Sequence, residues 1–380
     1  MRSLDDFAAA KLTELDQRQL RRHLAEDERS DGVIVERAGR RLISFSCNDY
    51  LNLTLHPRVK QAAIEAIERF GAGAGASRLV TGNHPLLRAL EAKLAAFKGT
   101  QAACVFGAGY LANAGIAPSL VGADDVIFID EYAHACLWAG AKLSGATVHA
   151  FRHNDMAHLE ALLREYRAAH AHALALTDGV FSMDGDLAPL DQLTPLCSEH
   201  DVWLLTDDAH GLGVVGGGRG AAYAFSGAKP PLQMGTLSKG AGSFGGYLCA
   251  SQAVIDLIKT RARTLIYSTG LPPASAGAAL AALDIIASDP GLVDKPIAKA
   301  RRFTRALNLP EAQSAIVPLV LGEPARALQA ARELEEAGFL VVPIRPPTVP
   351  KGTARLRFAF TAAHADADID RLVDAVRTVV

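Results

Sequence analysis

Between about residue 45 and residue 250, short apolar runs alternate with segments of helical periodicity, and this alternation constrains the fold most strongly. Five runs have the length and composition of buried strands: Ala102–Phe106, Val126–Asp130, Ala173–Thr177, Val202–Asp207 and Tyr247–Ala250. Apolar strands that are separated by helices are typical of a mostly parallel sheet with helices on both faces. The sequence therefore predicts an α/β fold built around such a sheet.

Two further regions flank this alternation. Residues 4–25 have a polar, helical pattern, and strand-like runs follow at Val33–Val35 and Leu42–Phe45. After a helix-rich stretch from Ser251 to about Leu309, a second unit is predicted with strands at Ala315–Leu321, Leu340–Ile344 and Ala354–Phe360 and with helices over Pro324–Ala337 and from Asp366. The predicted organisation is an N-terminal arm over 1–45, a large domain over 46–285 and a small C-terminal domain over 286–380.

The composition excludes several classes of protein. The 380 residues are 49% hydrophobic and 21% charged with a net charge of -2, which is ordinary for a globular enzyme and supplies no basic field for nucleic acid or an anionic membrane. We expect a cytoplasmic protein, because the N-terminus lacks an apolar signal core and no run reaches the roughly 18 apolar residues of a spanning helix. The five cysteines form no C-x-x-C pair, so we expect free thiols and no metal.

Two segments carry the reactive side chains. The first, Leu204–Asp207, resembles an apolar strand that ends on an aspartate, with His210 three residues later. In the second, Lys239 stands between small residues in a glycine-rich loop. These groups match atoms of pyridoxal 5'-phosphate: a lysine forms the imine, an aspartate keeps the ring nitrogen protonated and a histidine binds the phenolate oxygen. We therefore interpret the chain as a pyridoxal-phosphate enzyme.

A short glycine turn, Gly107–Ala112, follows the strand that ends at Phe106 and precedes a helix. It resembles the G-x-G-x-x-A turn of dinucleotide sites, and Asp130 lies near the acidic position that such sites require. The same backbone also binds a single phosphate, because free N–H groups and the positive end of the helix face it. A nicotinamide enzyme leaves Lys239 and Asp207 without a role, whereas a pyridoxal enzyme uses both, so we favour the pyridoxal enzyme.

Other residues have both a functional and a structural interpretation. His134 and Ser182 each follow a predicted strand, where ligands bind in open α/β sheets, although a loop histidine and a turn-capping serine are the alternatives. Asp208 is expected to be structural, because strand alternation turns its side chain away from that of Asp207. The glycine-rich loop 70–78 lacks the ending of a nucleotide-binding loop. We expect it to allow close backbone approach to a ligand or to another subunit, and a plain flexible connection is the alternative.

A resemblance to a known family rests on four segments: Thr206–Gly211, the Lys239 loop, Phe181–Asp186 and Asn48–Leu51. Together they are similar to the α-oxoamine synthases, which are pyridoxal-phosphate enzymes of fold type I. The resemblance covers essentially the whole chain and implies a large domain with a mostly parallel seven-stranded sheet and a small C-terminal α/β domain. The sequence departs from the family pattern at Asn52, where glycine is usual, and this affects packing more than chemistry.

The resemblance implies a role for each candidate residue. The cofactor would be held by Lys239 (imine), Asp207 (ring nitrogen), His210 (phenolate oxygen), His134 (stacking on the ring), Ser182 (ring face or phenolate) and Gly109, Tyr110 and Thr236 (phosphate), with Ser268 or Thr269 reaching the phosphate from a partner subunit. The substrates would be bound by Arg357 and Asn48 (amino-acid carboxylate), His134, and Arg21 and Thr348 (acyl group). The alignment of Arg21 could shift by one position, which leaves Arg22 as an alternative.

Within the family, Ile344–Arg357 and Leu265–Thr269 are most similar to members that join L-alanine to a pimeloyl thioester in biotin synthesis. The implied reaction is a decarboxylating condensation in which Lys239 removes the α-proton of alanine, the carbanion attacks the thioester, and the thiol and CO2 leave. A homodimer is implied as well. The acyl carrier, either coenzyme A or acyl-carrier protein, stays open.

Two other functions compete with this one. A sister synthase would use glycine or serine with another acyl-CoA, as aminolevulinate synthase and glycine acetyltransferase do. The Ile344–Pro350 tail and the expected absence of an N-terminal extension favour the alanine enzyme. A non-catalytic scaffold or regulatory subunit on the same fold would be expected to lack the lysine, and Lys239 is present.

Overall fold

The computed structural model describes residues 3–379. The first residues of the predicted arm, Met1 and Arg2, and the last residue of the predicted small domain, Val380, lie outside the described residues. The helices are α1 Leu4–Gln17, α2 Pro57–Phe70, α3 Pro85–Phe97, α4 Gly109–Leu120, α5 Ala135–Ser144, α6 Met156–Tyr166, α7 Leu190–Glu199, α8 Gln252–Arg261, α9 Arg263–Ile266, α10 Pro273–Ser288, α11 Pro290–Ala306, α12 Pro324–Glu336 and α13 Asp366–Val379. The strands are β1 Glu28–Asp31, β2 Ile34–Arg37, β3 Arg40–Ser44, β4 Ala102–Phe106, β5 Val126–Asp130, β6 Thr147–Phe151, β7 Ala173–Asp178, β8 Trp203–Asp207, β9 Leu232–Thr236, β10 Gly246–Ala250, β11 Ile316–Gly322, β12 Phe339–Leu340, β13 Val342–Ile344 and β14 Ala354–Ala359.

A seven-stranded sheet lies at the centre of the molecule, in the order β4-β10-β9-β8-β7-β5-β6. Only β10 among these strands runs antiparallel to its neighbours, and the others pair in parallel. The predicted α/β class with a mostly parallel sheet is confirmed. Because the carboxyl ends of parallel strands meet at one edge, the loops that follow β5, β7, β8 and β9 are brought together there.

Alternate residues of the buried strands supply two separate cores. On one face, Val126 and Phe128 pack with residues of α6 and α7. On the other face, Ile127 and Ile129 pack with residues of α4, α5 and α8. Each buried strand therefore contributes apolar side chains in both directions, and this explains why these strands are apolar throughout.

The N-terminal arm forms a sheet with a strand from the C-terminal part of the chain. β3 pairs in parallel with β12, so that Ile43 lies opposite Phe339, and β1 and β2 extend this second sheet. Phe45 packs against Phe339 and Phe360, with ring centroids 6.1 and 5.6 Å away. A third sheet, β11-β14-β13, is antiparallel. The proposed boundary between the two domains, at 285/286, lies within α10.

The structure corrects two predicted elements. The first helix ends at Gln17 instead of near residue 25, because Gln19 adopts a left-handed φ of 55° and the Leu20 N–H returns to the carbonyl of Leu15. The single strand predicted at 340–344 is two strands, since β12 pairs with β3 and β13 pairs with β14.

Asn52 adopts a left-handed φ of 57°, a conformation that asparagine tolerates better than other non-glycine residues. The asparagine therefore preserves the backbone at this position of the family pattern.

Among residues 3–379, no single helix is both long and apolar enough to cross a membrane. Helices α10 and α11 meet the length and composition criteria only as a pair, and they are bent by 82° at the break between them.

Candidate active site

The strands β7 and β8 end on the same tripeptide, Leu-Thr-Asp, and pair in register, so that Asp178 lies beside Asp207. A cavity of about 270 Å³ opens where these strands end. Seven of the predicted site residues line it: Gly109, Tyr110, His134, Asp207, His210, Thr236 and Lys239. The loops after four different strands thus bring together side chains that are far apart in the sequence.

Lys239 lies at the end of a chain of polar contacts. Its Nζ is 2.8 Å from Nε2 of His210, and Nδ1 of that ring is 2.6 Å from the Tyr50 hydroxyl. The Tyr50 hydroxyl also lies 3.3 Å from Oδ1 of Asn48. The buried tyrosine therefore fixes the orientation of the imidazole, and the imidazole in turn fixes the position of the amine.

Burial sets the protonation of these groups. It lowers the pKa of Lys239, against the opposing influence of Asp207 and Asp178. Burial, and then the Lys239 cation, lowers the pKa of His210 well below its ordinary value. Burial raises the pKa of Tyr50 to about 12, so its hydroxyl stays protonated. A lowered pKa gives the lysine more of the free amine that attack on a carbonyl and removal of a proton both require.

Asp207 is held on both carboxylate oxygens. The side-chain N–H of Asn113, on α4, donates to Oδ2 at 2.6 Å, and the backbone N–H of Ala209 donates to Oδ1 at 2.9 Å. The Asn113 amide also lies 3.1 Å from Sγ of Cys136. Asp207 is only 4% exposed, so these hydrogen bonds to its side chain are shielded from water.

His134 caps the start of α5. Its backbone N–H donates to Oδ1 of Asp178 at 3.2 Å, and its Nδ1 accepts from the backbone N–H of Cys136 at 3.3 Å. Burial lowers the pKa of His134, which favours the neutral ring that stacking requires. Burial, and then Asp207, raises the pKa of Asp178 well above its ordinary value. The carboxyl group at the end of β7 therefore favours its protonated form.

The predicted phosphate site lies at the N-terminus of α4, at the end of the cavity formed by Gly109 and Thr236. The residue before the helix, Ala108, makes no side-chain cap, and the first two residues of α4, Gly109 and Tyr110, line the cavity. A Cβ on Gly109 would lie 3.3 Å from Cβ of Thr236, so glycine keeps this end of the cavity open. Backbone N–H groups at a helix N-terminus are a suitable site for a phosphate.

Arg357, on β14, connects the small domain to the site. Its Nε donates to the carbonyl of Ser182 at 2.6 Å, and its Nη1 donates to Oδ1 of Asn48 at 3.2 Å. Its Nη2 is buried without a partner in the described residues. A buried guanidinium with a free donor can take a carboxylate, as was predicted for Arg357 with help from Asn48. Ser182 contributes its carbonyl to this contact and is not among the residues that line the cavity.

Asp208 points away from the cavity, as strand alternation predicts. Its Oδ2 accepts from Nζ of Lys98 at 2.7 Å, and its Oδ1 accepts from the backbone N–H of Ala221 at 2.9 Å. The Lys98 side chain is fully buried. This ion pair anchors the loop between Asp207 and His210 on the side that faces away from the cavity.

One of the residues predicted for the acyl group lies in a separate groove of about 820 Å³ between α1 and the loop 346–351, and the other, Thr348, lines an adjoining pocket. Arg21 lines this groove and pairs with Asp16 at 2.7 Å. Arg22 is the residue that reaches Thr348, with its Nη2 donating to Oγ1 at 3.0 Å. Thr348 thus has Arg22, the residue of the alternative alignment, as its hydrogen-bond partner, and the assignment of these residues to the acyl group stays a prediction.

Ser268 and Thr269 lie outside the cavity lining. Thr269 forms an isolated antiparallel bridge with Ser77, and the N–H of Gly270 donates to the carbonyl of Ala76 at 2.9 Å. The glycine-rich loop 70–78 therefore approaches the 268–270 segment of the same chain. The role of this segment toward a partner's phosphate site stays a prediction.

Three residues of the site were missed in the sequence. Asn113 belongs to a helix face, and Tyr50 reaches His210 from a distant loop, so neither follows a strand of the predicted sheet. Asp178 could have been identified from the sequence, because it ends the same Leu-Thr-Asp tripeptide as Asp207.

Asp130, the acidic residue that a nicotinamide site would use, is occupied by contacts within the protein. Asp130 is fully buried and its oxygens accept from the backbone N–H groups of Tyr132 and Asn154, at 2.8 and 2.9 Å, and contact Nδ1 of His153 at 3.1 Å. A carboxylate occupied in this way is not free to bind a ribose.

The residues present fit pyridoxal 5'-phosphate. The donor set has one member for each part of that molecule: Lys239 for the aldehyde, Asp207 for the ring nitrogen, His210 for the phenolate and the α4 N-terminus for the phosphate. The buried, unpartnered Nη2 of Arg357 leaves a cation for the carboxylate of a substrate. The charged and polar groups of the site thus match those of the cofactor and of an amino-acid substrate.

Comparisons with known proteins identify the family of the chain. Residues 40–376 match the family model for aminotransferase class I and II. The 8-amino-7-oxononanoate synthases of Methylocella silvestris and Beijerinckia indica are 69% and 66% identical to the chain; the alignments cover 90% and 99% of this chain and 98% of each relative. A serine palmitoyltransferase from S. paucimobilis, solved with bound PLP and myriocin, superposes with a TM-score of 0.93 at 27% identity and covers 100% of this chain and 98% of that one.

The family match spans most of the chain, and its boundaries include the lysine loop, both strand-end aspartates and the arginine of β14. The chain therefore belongs to the aminotransferase class I and II family, and it is an enzyme of fold type I that depends on pyridoxal 5'-phosphate.

Proposed function

We propose that this chain is an 8-amino-7-oxononanoate synthase, which joins L-alanine to a pimeloyl thioester and releases CO2 and the free thiol. The names of relatives that are 66–69% identical support this product. The observation that carries the proposal in the site itself is the continuous set of contacts from Lys239 through His210, Tyr50 and Asn48 to Arg357.

These contacts suit an α-amino acid. The free donor of Arg357 binds the carboxylate, and Lys239, at the other end, is the base for the proton on Cα. When bound, pyridoxal 5'-phosphate supplies an aldehyde for the amino group and a protonated ring that withdraws electrons from Cα. Asp207 would stabilise the proton on the ring nitrogen, because a nearby opposite charge favours the protonated form. This carboxylate is in place before charge develops.

The groove between α1 and the loop 346–351 suits the acyl substrate. It is apolar along Leu12, Leu15 and Val349, and Arg18 and Lys351 add positive charge. A pimeloyl thioester is an apolar chain between a carboxylate and a carrier that bears phosphate, so both features have a counterpart in the substrate. Arg22 and Thr348 lie in an adjoining pocket.

The experiment is identification of the product. The holoenzyme is supplied with pimeloyl-CoA and, in separate reactions, L-alanine, glycine or L-serine, and the amino ketones are identified by mass spectrometry. A matched set with pimeloyl–acyl-carrier protein distinguishes the two carriers. We expect 8-amino-7-oxononanoate from alanine with either carrier.

Competition between equal concentrations of alanine and glycine measures the preference. A pocket that recognises one methyl group distinguishes the two by about 10–200-fold, so a minor glycine product is expected. A larger product from glycine than from alanine would contradict the proposal while leaving the roles of Lys239 and Arg357 intact.

A serine-using synthase is the second candidate, because the superposition on serine palmitoyltransferase is close over the whole chain. The same experiment tests it. We expect serine to be the poorest of the three donors, since its hydroxyl needs a partner that a site for a methyl group lacks.

We also propose that the enzyme is a homodimer. Leu79 and Val80 follow the loop that contacts Thr269, and their side chains are 62% and 73% exposed. Tyr267 is 73% exposed on the neighbouring segment. Several large apolar side chains exposed in one region are typical of an interface.

A further inference from the structure

His153 forms an ion-paired cluster outside the cavity, just after β6. Its Nδ1 lies 3.1 Å from Oδ1 of Asp130, and its Nε2 lies 2.9 Å from Oδ2 of Asp186. With a carboxylate at each ring nitrogen, the protonated imidazole donates to both. The side chain of His153 is 19% exposed and that of Asp130 is fully buried, so these contacts are largely shielded from water.

The ring is held on its faces and edges as well. It stacks on Tyr132, with centroids 4.6 Å apart, and meets Phe181 edge to face at 4.4 Å. Its backbone N–H donates to Oε1 of Glu131 at 3.0 Å. Burial lowers the pKa of His153, but its hydrogen bonds to Asp130 and Asp186 outweigh burial and raise that pKa to about 10. The imidazole therefore stays charged at neutral pH.

The two carboxylates belong to two different parts of the active site. Asp130 ends β5 and begins the loop to His134, and the N–H of Ala133 donates to its carbonyl at 2.9 Å. Asp186 closes the turn 181–186, in which the N–H of Phe181 donates to the Asp186 carbonyl at 3.0 Å. This turn presents the Ser182 carbonyl that accepts from Arg357.

We propose that His153 is a positioning residue that joins the His134 loop to the turn 181–186 and thereby sets the distance between the ring-stacking histidine and the carboxylate-binding arginine. Asn154 also donates to both carboxylates, from its backbone N–H to Oδ2 of Asp130 and from its side-chain N–H to Oδ2 of Asp186, each at 2.9 Å, but it carries no charge. Without the cation, two carboxylates that contact the same imidazole ring would repel each other.

The substitution His153→Gln tests this proposal, because an amide can donate to one of the carboxylates but carries no charge. The matched control is His149→Gln, which changes a histidine of β6, four residues before His153, whose ring stacks on Tyr166, 3.8 Å away, and which does not line the cavity. Three quantities are compared in both variants: the Kd of the apoprotein for pyridoxal phosphate by fluorescence quenching, the visible circular dichroism of the holoenzyme, and KM and kcat for L-alanine.

For His153→Gln we expect weaker cofactor binding, a reduced visible dichroism band and a kcat/KM lower by on the order of 10- to 100-fold, chiefly through KM, because small displacements of a binding group have effects of that size. The control should match the wild type. Only the kinetic readout rests on the proposed function. If alanine is not the substrate, the cofactor measurements still decide the matter.

Asp186→Asn is the second variant, in case His153→Gln does not fold. It keeps an acceptor oxygen on a side chain that is 28% exposed, and it should shift the same quantities in the same direction by a smaller factor. A lower Tm together with unchanged Kd, dichroism and KM in the folded variants would mean that His153 only stabilises the fold, and would overturn the proposal.

Discussion

Lys98 is fully buried and Lys239 is partly buried, and their partners distinguish the structural lysine from the reactive one. Lys98 donates to the Asp208 carboxylate at 2.7 Å. Lys239 contacts the neutral imidazole of His210, and burial lowers its pKa. An amine next to a neutral partner loses its proton more readily than one next to a carboxylate.

Lys239→Ala should abolish covalent attachment of pyridoxal phosphate. The measurement is borohydride reduction of the holoprotein followed by peptide mapping, and the wild type should carry the label on Lys239 alone. Lys60→Ala, at an exposed lysine, is the control and should label as the wild type does. A label on another lysine would refute the assignment.

Lys98→Met should destabilise the protein by about 3–5 kcal/mol, because it leaves the Asp208 carboxylate buried without its counter-ion. Urea denaturation of the apoprotein measures this free energy. The control is Lys93→Met, which removes an ion pair with the half-exposed Asp284 and should cost less than about 1 kcal/mol. Equal effects of the two substitutions would show that burial of the pair is unimportant.

The contribution of His153 to stability should depend on pH in a definite direction. Its pKa is raised in the folded protein to about 10 from an ordinary value of 6.5. The stabilisation is therefore complete below about pH 6.5 and is lost as the pH rises toward about 10. The difference in Tm between the wild type and His153→Gln should shrink over that interval, and a difference that grows with pH would contradict the raised pKa.

At the scale of elements, the apolar strands were predictable and the less apolar ones were not. β6 was missed because it lies at the edge of the sheet, where most of its residues are partly exposed. β9 was missed because Gln233 and Gly235 interrupt its apolar pattern, although both are buried in the sheet. The residues of the site that follow predicted strands were identified, whereas Asn113 and Tyr50 depend on helix and loop packing that only the tertiary structure defines.

The loop of Lys239 and the loop of His210 touch through their backbones. A Cβ on Gly240 would lie 2.1 Å from the carbonyl oxygen of Leu212, so no side chain fits between the two loops. The 2.8 Å contact between Lys239 and His210 thus depends on a close approach of two elements.

Gly240→Ala should therefore destabilise the protein by about 1–3 kcal/mol or more and reduce cofactor loading. The readouts are Tm and the absorbance of bound cofactor. The matched control is Gly122→Ala, where an added Cβ meets nothing within 4 Å, and its effect should stay within about 0.5 kcal/mol. Normal loading in Gly240→Ala would show that the two loops can separate without consequence.

At the scale of the whole molecule, light scattering tests the proposed homodimer. We expect the mass of a dimer for the wild type and a shift toward monomer in the double variant Leu79→Asp, Val80→Asp, because charges replace exposed apolar contacts. Leu143→Asp, at another leucine that is 64% exposed, is the control and should remain dimeric. A wild-type monomer with full activity would contradict the proposal.

The pairing of β3 with β12 also has a consequence for synthesis on the ribosome. Ile43 leaves the ribosome long before Phe339, its partner in the sheet, has been translated. At roughly 5–20 residues per second, the arm waits about 15–60 s for the strand that completes its sheet. During that time Phe45 lacks the rings of Phe339 and Phe360, so the nascent arm exposes an apolar segment that a chaperone can bind.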